Sequence, residues 1–147
     1  MTWDEVDVRA ATWTLPGTRT KNGKAHVVHL SEPALSLLAS MPAHGSHVFT
    51  NGGNAPFQSF SAYKRRLDDL SRLPGWRLHD LRRTVVSGMA SLGVAPHVAD
   101  RILNHVGGTI SGVAAVYQRH EFLAERRAAM EIWGAHVSAI LRNAADA

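Results

Sequence analysis

The hydrophobic period of this chain changes once, at Ser31, and that change constrains the fold more than any single motif. Before it the pattern is that of strands. Val6 and Val8 alternate, Ala11-Thr12-Trp13-Thr14-Leu15 follows, and Pro16-Gly17 interrupts. Asn22-Gly23 lies inside Thr20–Lys24 and is the dipeptide best suited to the positive φ of a tight hairpin. Ala25–Leu30 then resumes as a strand. Residues 1–31 therefore predict a small antiparallel sheet with Lys21 and Lys24 at a hairpin tip.

After Ser31 the period is helical. Ser31 can cap a helix that opens on Glu32-Pro33 and carries Leu35, Leu37 and Leu38. Pro42 to Pro56 reads as a loop with an apolar kernel at Val48-Phe49. Phe60, Tyr63, Leu67 and Leu70 form a stripe that predicts a core-facing helix ended by Pro74-Gly75. Leu78, Leu81, Val85, Met89 and Leu92 predict another, stopped at Gly93, and Pro96 opens a third through Val98, Ile102 and Leu103. Thr109–His120 reads as loop turning into short helix. Phe122–Leu141 is amphipathic, and Asn143–Ala147 reads as frayed. A sheet first and helices after, over residues 32–141, argues for an α+β fold: a small N-terminal antiparallel sheet followed by a mainly α-helical bundle.

Composition narrows the function. At 147 residues there is room for one domain with a real core. The absence of cysteine excludes disulfide frameworks, thiolate zinc sites and thiol catalysis, and suits a reducing cytoplasm. No apolar run approaches the ~20 residues of a membrane helix, and Met-Thr-Trp-Asp-Glu is acidic where a signal peptide is basic. Sixteen Lys and Arg against twelve Asp and Glu give a net charge of +4, and thirteen of the sixteen are arginine. The planar arginine fork suits phosphate, so nucleic acid is a better expected partner than a neutral metabolite. Of the nine histidines, His26/His29 and His44/His47 are isolated pairs without acidic partners at ligand spacing, so no metal or other cofactor is expected.

The segment Trp76–Thr84 carries the most chemistry. On a helical wheel Arg82 falls about 60° from the apolar stripe and Arg83 about 160° from it. Arg83 is thus expected in solvent, and Arg82 at the core border with its stem buried and its fork aimed. His79 lies one turn before Arg82, so both can reach one anion. Spacing alone favours a plainer reading, a salt-bridged arginine, for which Asp80 is a candidate partner, and a surface histidine.

The order of motifs decides between these readings. His79-Asp80-Leu81-Arg82-Arg83-Thr84 resembles the His-x-x-Arg box of the tyrosine recombinases, the phage-integrase family. Leu103-Asn104-His105 resembles its Leu-Gly-His signature, and Val116-Tyr117-Gln118-Arg119 its tyrosine box. Trp3-Asp4-Glu5-Val6-Asp7 resembles the strand after the family's first catalytic helix, and Thr20-Lys21-Asn22-Gly23 the hairpin of its catalytic lysine. The long gap between His105 and Tyr117, with the Trp-rich tail, is most similar to integrases of prophages and genomic islands.

The resemblance implies metal-free DNA breakage. A tyrosine hydroxyl, Tyr117, attacks a backbone phosphate to give a 3′-phosphotyrosine and a free 5′-hydroxyl. Arg82, His79 and His105 would hold the phosphoryl oxygens, where charge builds up. Lys21 would protonate the leaving oxygen, with Lys24 as alternative, and His79 would assist Tyr117 as base. The other tyrosine, Tyr63, is expected in the core. DNA contacts are assigned to Lys24, Lys64, Arg65, Arg66, Arg83 and Arg119. The partners implied are double-stranded attachment-site DNA and further copies of the protein, a tetramer for the full-length enzyme.

One departure stands out. The family's first arginine, in a Gly-x-Arg-x-Gly-Glu-like context ahead of the first strand, has no counterpart, and Arg9 already lies within the strand region. The separate N-terminal DNA-binding domains are also unmatched. Residues 1–147 are expected to be the C-terminal part of an integrase catalytic domain, truncated or remnant, with weak or no recombination alone. The missing helices are expected to leave apolar surface around the sheet and to favour self-association. The alternative is a non-catalytic DNA-binding module derived from an integrase. The C-terminal helix could dock on a neighbouring protomer or pack in cis.

Overall fold

The computed structural model describes residues 1–51, 53–73, 75–105 and 121–146. Three strands, β1 (Val6–Asp7), β2 (Thr12–Leu15) and β3 (His26–His29), form an antiparallel sheet in the order β1-β2-β3. Five α-helices follow among the described residues: α1 (Glu32–Ala39), α2 (Phe60–Ser71), α3 (Leu78–Ser91), α4 (Pro96–Ile102) and α5 (Leu123–Ala145). The fold is α+β, as the change of period at Ser31 predicts. The β2–β3 register pairs Trp13 with Val28 and Leu15 with His26, setting the connection that carries Lys21 and Lys24 as a hairpin tip. Gly23 takes φ +71° there, the left-handed turn conformation that glycine adopts without steric cost.

Two apolar clusters hold these layers. Leu30, Leu38 and Val48 pack the sheet against α1, with Trp3, Val6, Trp13, Leu35 and Met41 around them. The expected loop kernel at Val48 is thus core, tied to the sheet edge where the Val48 N–H donates to the Met1 carbonyl at 3.2 Å. Met89, Val98, Ala99 and Ala129 join α3, α4 and α5.

Helix α5 packs in cis against α1, α3, α4 and β3. Its Gly134 lies against Ser31, and its Trp133 ring lies over Gly88 of α3; a Cβ at Gly88 would stand 2.2 Å from that ring. Arg126 is 2% exposed and donates from Nη2 to the Val27 carbonyl of β3. Phe122, at the start of α5, packs at a tilt against His97 with ring centroids 4.7 Å apart.

Several expectations need correction. Trp3–Glu5 is a 3-10 turn, held by Glu5 Oε2 accepting from the Thr2 N–H at 3.1 Å, and only Val6–Asp7 pairs as strand. Val8 lies in a turn and is 63% exposed. The α2 stripe is not core: Phe60, Tyr63, Leu67 and Leu70 are all exposed, because the described structure lays no helix across that face. Tyr63 instead sits edge-on to Phe57 at 5.0 Å. Leu78 and Leu81 of α3 are also exposed, whereas Met89 is 1% exposed. Exposed apolar side chains thus lie on α2 and early α3, and also at Val8 beside the sheet, at Leu37 of α1 and at Ile132, Ile140 and Leu141 of α5. Helix α5 continues to Ala145 where fraying was expected from Asn143. Thr109–His120 lies outside the described residues.

Candidate nucleic-acid site at the start of helix α3

Helix α3 begins because Asp80 caps it. The Asp80 carboxylate accepts from the Arg77 N–H at 2.9 Å, and the Asp80 N–H donates to the Arg77 carbonyl at 2.8 Å. This anchors His79, Arg82 and Arg83 on the first turns. Asp80 pairs with Arg83 at 3.7 Å and not with Arg82, so the salt-bridged reading of Arg82 does not hold. Arg83 is in solvent, as expected. Arg82 is exposed as well, not half-buried at a core border. Its direction comes from a hydrogen bond instead: Nη2 donates to the Leu103 carbonyl at 2.5 Å.

That carbonyl belongs to the turn after α4, where three elements meet. His26 of β3 lies with Nε2 3.1 Å from the Ile102 carbonyl. Asn22 of the hairpin tip donates from Nδ2 to Asn104 Oδ1 at 2.8 Å. Helix C-terminal carbonyls lack intrahelical donors, so the Arg82 and His26 contacts each supply a missing partner. The His105 N–H donates to the Asp100 carbonyl at 3.0 Å, and its Nδ1 lies 3.3 Å from Asp100 Oδ1. This fixes the ring with Nε2 directed away from Asp100. Burial lowers the pKa of His26, opposed by its contact with Ile102, so near neutral pH the ring is an uncharged donor.

The result is an open cleft of about 290 Å³ lined by His79, Arg82, Arg83, Val86, Ser87, Leu103 and His105. Two helices separated in sequence thus bring His79, Arg82 and His105 to one place. A guanidinium with two imidazoles offers planar and point donors to the same oxyanion. A larger apolar cavity of about 530 Å³ lies between Met1, Met41, Phe49, Phe57 and α2, away from these cations. Among the described residues, no group of three or more His, Cys, Asp or Glu is arranged to hold a metal ion. None of the described helices is long and apolar enough to cross a membrane.

The other assigned cations divide. Lys21 and Lys24 are exposed on the hairpin tip. Lys64 lies 4.0 Å over the Trp76 ring and pairs with Asp68, which turns it from solvent. Arg65 and Arg66 stand exposed on α2. Tyr117 and Arg119 lie outside the described residues. Sequence reasoning passed over Asn22, His26, Asp100 and Asn104. Asn104 alone left a signal, since it replaces the glycine of the resembled Leu-Gly-His.

The phage integrase family matches residues 1–122. The prophage integrase IntA of Escherichia coli (strain K12) is 32% identical over 145 residues, covering 93% of this chain and 34% of the relative. The chain thus spans about a third of the length of that curated relative. No solved structure matches.

Proposed function

Because the chain belongs to the phage integrase family, we propose that it is part of a site-specific DNA recombinase that cuts and rejoins duplex DNA through Tyr117. The proposal assigns residues 1–147 to the C-terminal part of an integrase catalytic domain. The observation that carries it is the convergence of His79, Arg82 and His105 on one solvent-open cleft. A phosphodiester seated there would place its non-bridging oxygens against Arg82, with His79 and His105 donating around it.

The step balances without a metal. The Tyr117 oxygen bonds to phosphorus as the bond to the 5′-oxygen breaks. The phenolic proton passes to His79, and the 5′-oxygen takes a proton from the hairpin lysine, Lys21 or Lys24. Tyrosine is a poor nucleophile at its ordinary pKa near 10, so a base and a cationic pocket both lower the barrier. Arg65, Arg66, Arg83 and Arg119 extend a basic surface for flanking phosphates, which positions the duplex without reading its bases. Lys64 belongs to this surface only where DNA draws it away from Trp76 and Asp68. Assembly of several copies on attachment-site DNA in the cytoplasm completes the reading.

A nicked suicide duplex tests it. Wild type is expected to trap a covalent DNA adduct that Tyr117→Phe abolishes, with DNA affinity falling as salt rises. Salt-sensitive binding with no adduct would replace the proposal by a non-catalytic DNA-binding module.

A further inference from the structure

Asn104 sits at φ +56°. Glycine is unstrained there, and asparagine is among the few other residues that enter this region at modest cost. Its side chain makes a contact 82 residues away in sequence, accepting from Asn22 Nδ2 at 2.8 Å. Asn22 is itself held on its other side, because its Oδ1 accepts from the Lys24 N–H at 3.1 Å. Thr20 closes the loop by donating from Oγ1 to the Lys24 carbonyl at 2.7 Å. The hairpin tip is thus an internally bonded turn whose side-chain tether to the helical layer runs through Asn104. Asn104 also lies between Leu103, which orients Arg82, and His105, which lines the cleft.

We infer that Asn22 and Asn104 form a latch that fixes the lysine-bearing hairpin tip relative to the phosphate cleft, making Asn104 a positioning residue for the proton donor. The inference rests on the recombinase reading above, and it adds what holds an exposed lysine turn in register with a site on another layer. An untethered tip of this kind would sample many orientations, and proton transfer needs the ammonium within hydrogen-bond reach of the leaving oxygen. His26, reaching Ile102 from the adjacent strand, keeps the base of the hairpin in place when the latch is cut.

The test uses the full chain as wild type, Asn22→Ala, Asn104→Gly and Asn104→Asp. Glycine suits the backbone at position 104, so Asn104→Gly removes the latch and keeps the turn; aspartate keeps an Oδ1 acceptor. Amide hydrogen exchange at residues 20–25 is expected to rise about fivefold in Asn22→Ala and Asn104→Gly, the scale of one neutral hydrogen bond. Asn104→Asp is expected to retain protection, and exchange across α4 and α5 is expected to stay unchanged. Unchanged exchange at the tip in Asn104→Gly would overturn the latch.

Adduct formation is then compared on nicked duplexes whose leaving 5′-atom is oxygen or sulfur. A thiolate departs without a proton, since thiols ionise near pH 8.5. Asn104→Gly is expected to slow the oxygen substrate about tenfold or more and to leave the sulfur substrate within about twofold, a general-acid effect. Equal slowing on both would overturn the positioning role and leave a structural contact. No adduct from wild type on either substrate would remove the recombinase reading, and the lysine role with it, while exchange would still decide whether the latch holds the tip.

Discussion

At its C-terminal end α3 buries Met89 to 1% exposure beneath α4 and α5, and Gly88 is closed over by Trp133. Two turns earlier the same helix leaves His79, Leu81, Arg82 and Arg83 in solvent. Two arginines mark the contrast. Arg126 and Arg82 each donate a guanidinium N–H to a backbone carbonyl, Val27 and Leu103 respectively. Arg126 does so at 2% exposure, with Glu121 Oε2 3.8 Å away. Arg82 does so at the edge of an open cleft. Hydrogen bonding therefore does not distinguish a structural from a functional arginine; the solvent around the fork does. Buried, the bond joins β3 to α5. Exposed, it sets a direction and leaves the other edge of the fork for a ligand.

That contrast is broken most severely by exchanging the two losses. Arg82→Ala is expected to lower the rate of adduct formation by about 10²–10³, the scale of one preorganised charge donor. Its unfolding free energy should stay within about 1 kcal/mol of wild type, as for other exposed positions. Arg126→Ala should do the reverse, losing about 3 kcal/mol in urea denaturation because the Val27 carbonyl loses its partner and the buried side chain leaves a cavity. Equal stability losses in the two variants would dissolve the distinction.

Packing at the fold end is tested next. Gly88→Ala places a methyl group against the Trp133 ring and is expected to cost about 1–3 kcal/mol, read as a lowered Tm. Ala at Ser87, one residue away on the cleft side, should cost less than about 0.5 kcal/mol.

Smaller effects separate the regions by pH. Glu5 accepts from the Trp13 indole at 3.1 Å and from the Thr2 N–H, and it pairs with Arg19. Burial acts to raise its pKa, but these donors, Trp13 foremost, outweigh it and lower the pKa to about 2. The carboxylate therefore stabilises the sheet fully above the ordinary pKa near 4.5. That contribution is lost as pH falls toward 2, and Glu5→Gln should flatten acid unfolding in this window. His29 lies buried on β3, and burial first, then Arg127 and Arg126, lowers its pKa. The unfolded chain binds a proton that the folded chain resists, so stability is present above about pH 6.5 and falls as pH drops below it. His29→Gln should remove part of that slope in chemical denaturation between pH 5 and 7, His26 retaining the rest.

How far this was legible in the sequence depends on range. The period change at Ser31, Asn22-Gly23 at the hairpin, Pro33 and Pro96 opening helices and Gly93 ending one are local, and the elements follow them closely. His79 and Arg82, one turn apart, already predicted a shared edge. The apolar stripe of α2 misled because amphipathicity reports what a helix can bury, not whether a partner covers it. Arg82 was misplaced for a related reason: a wheel angle knows nothing of the Leu103 carbonyl that aims the fork. Asn22–Asn104 and Arg126–Val27 join residues 82 and 99 positions apart, beyond the reach of any local pattern.

The identity of the residue that becomes bonded to DNA tests the account most directly. The sequence holds two tyrosines, one on the exposed stripe of α2 and one in the segment after His105. Wild-type protein trapped on a nicked suicide duplex is to be digested with protease and nuclease, and the nucleotide-bearing peptide mapped by mass spectrometry. Phosphotyrosine is expected at Tyr117, lost in Tyr117→Phe and strongly reduced in Arg82→Ala. A nucleotide on Tyr63, or adduct yields indifferent to Arg82, would contradict it.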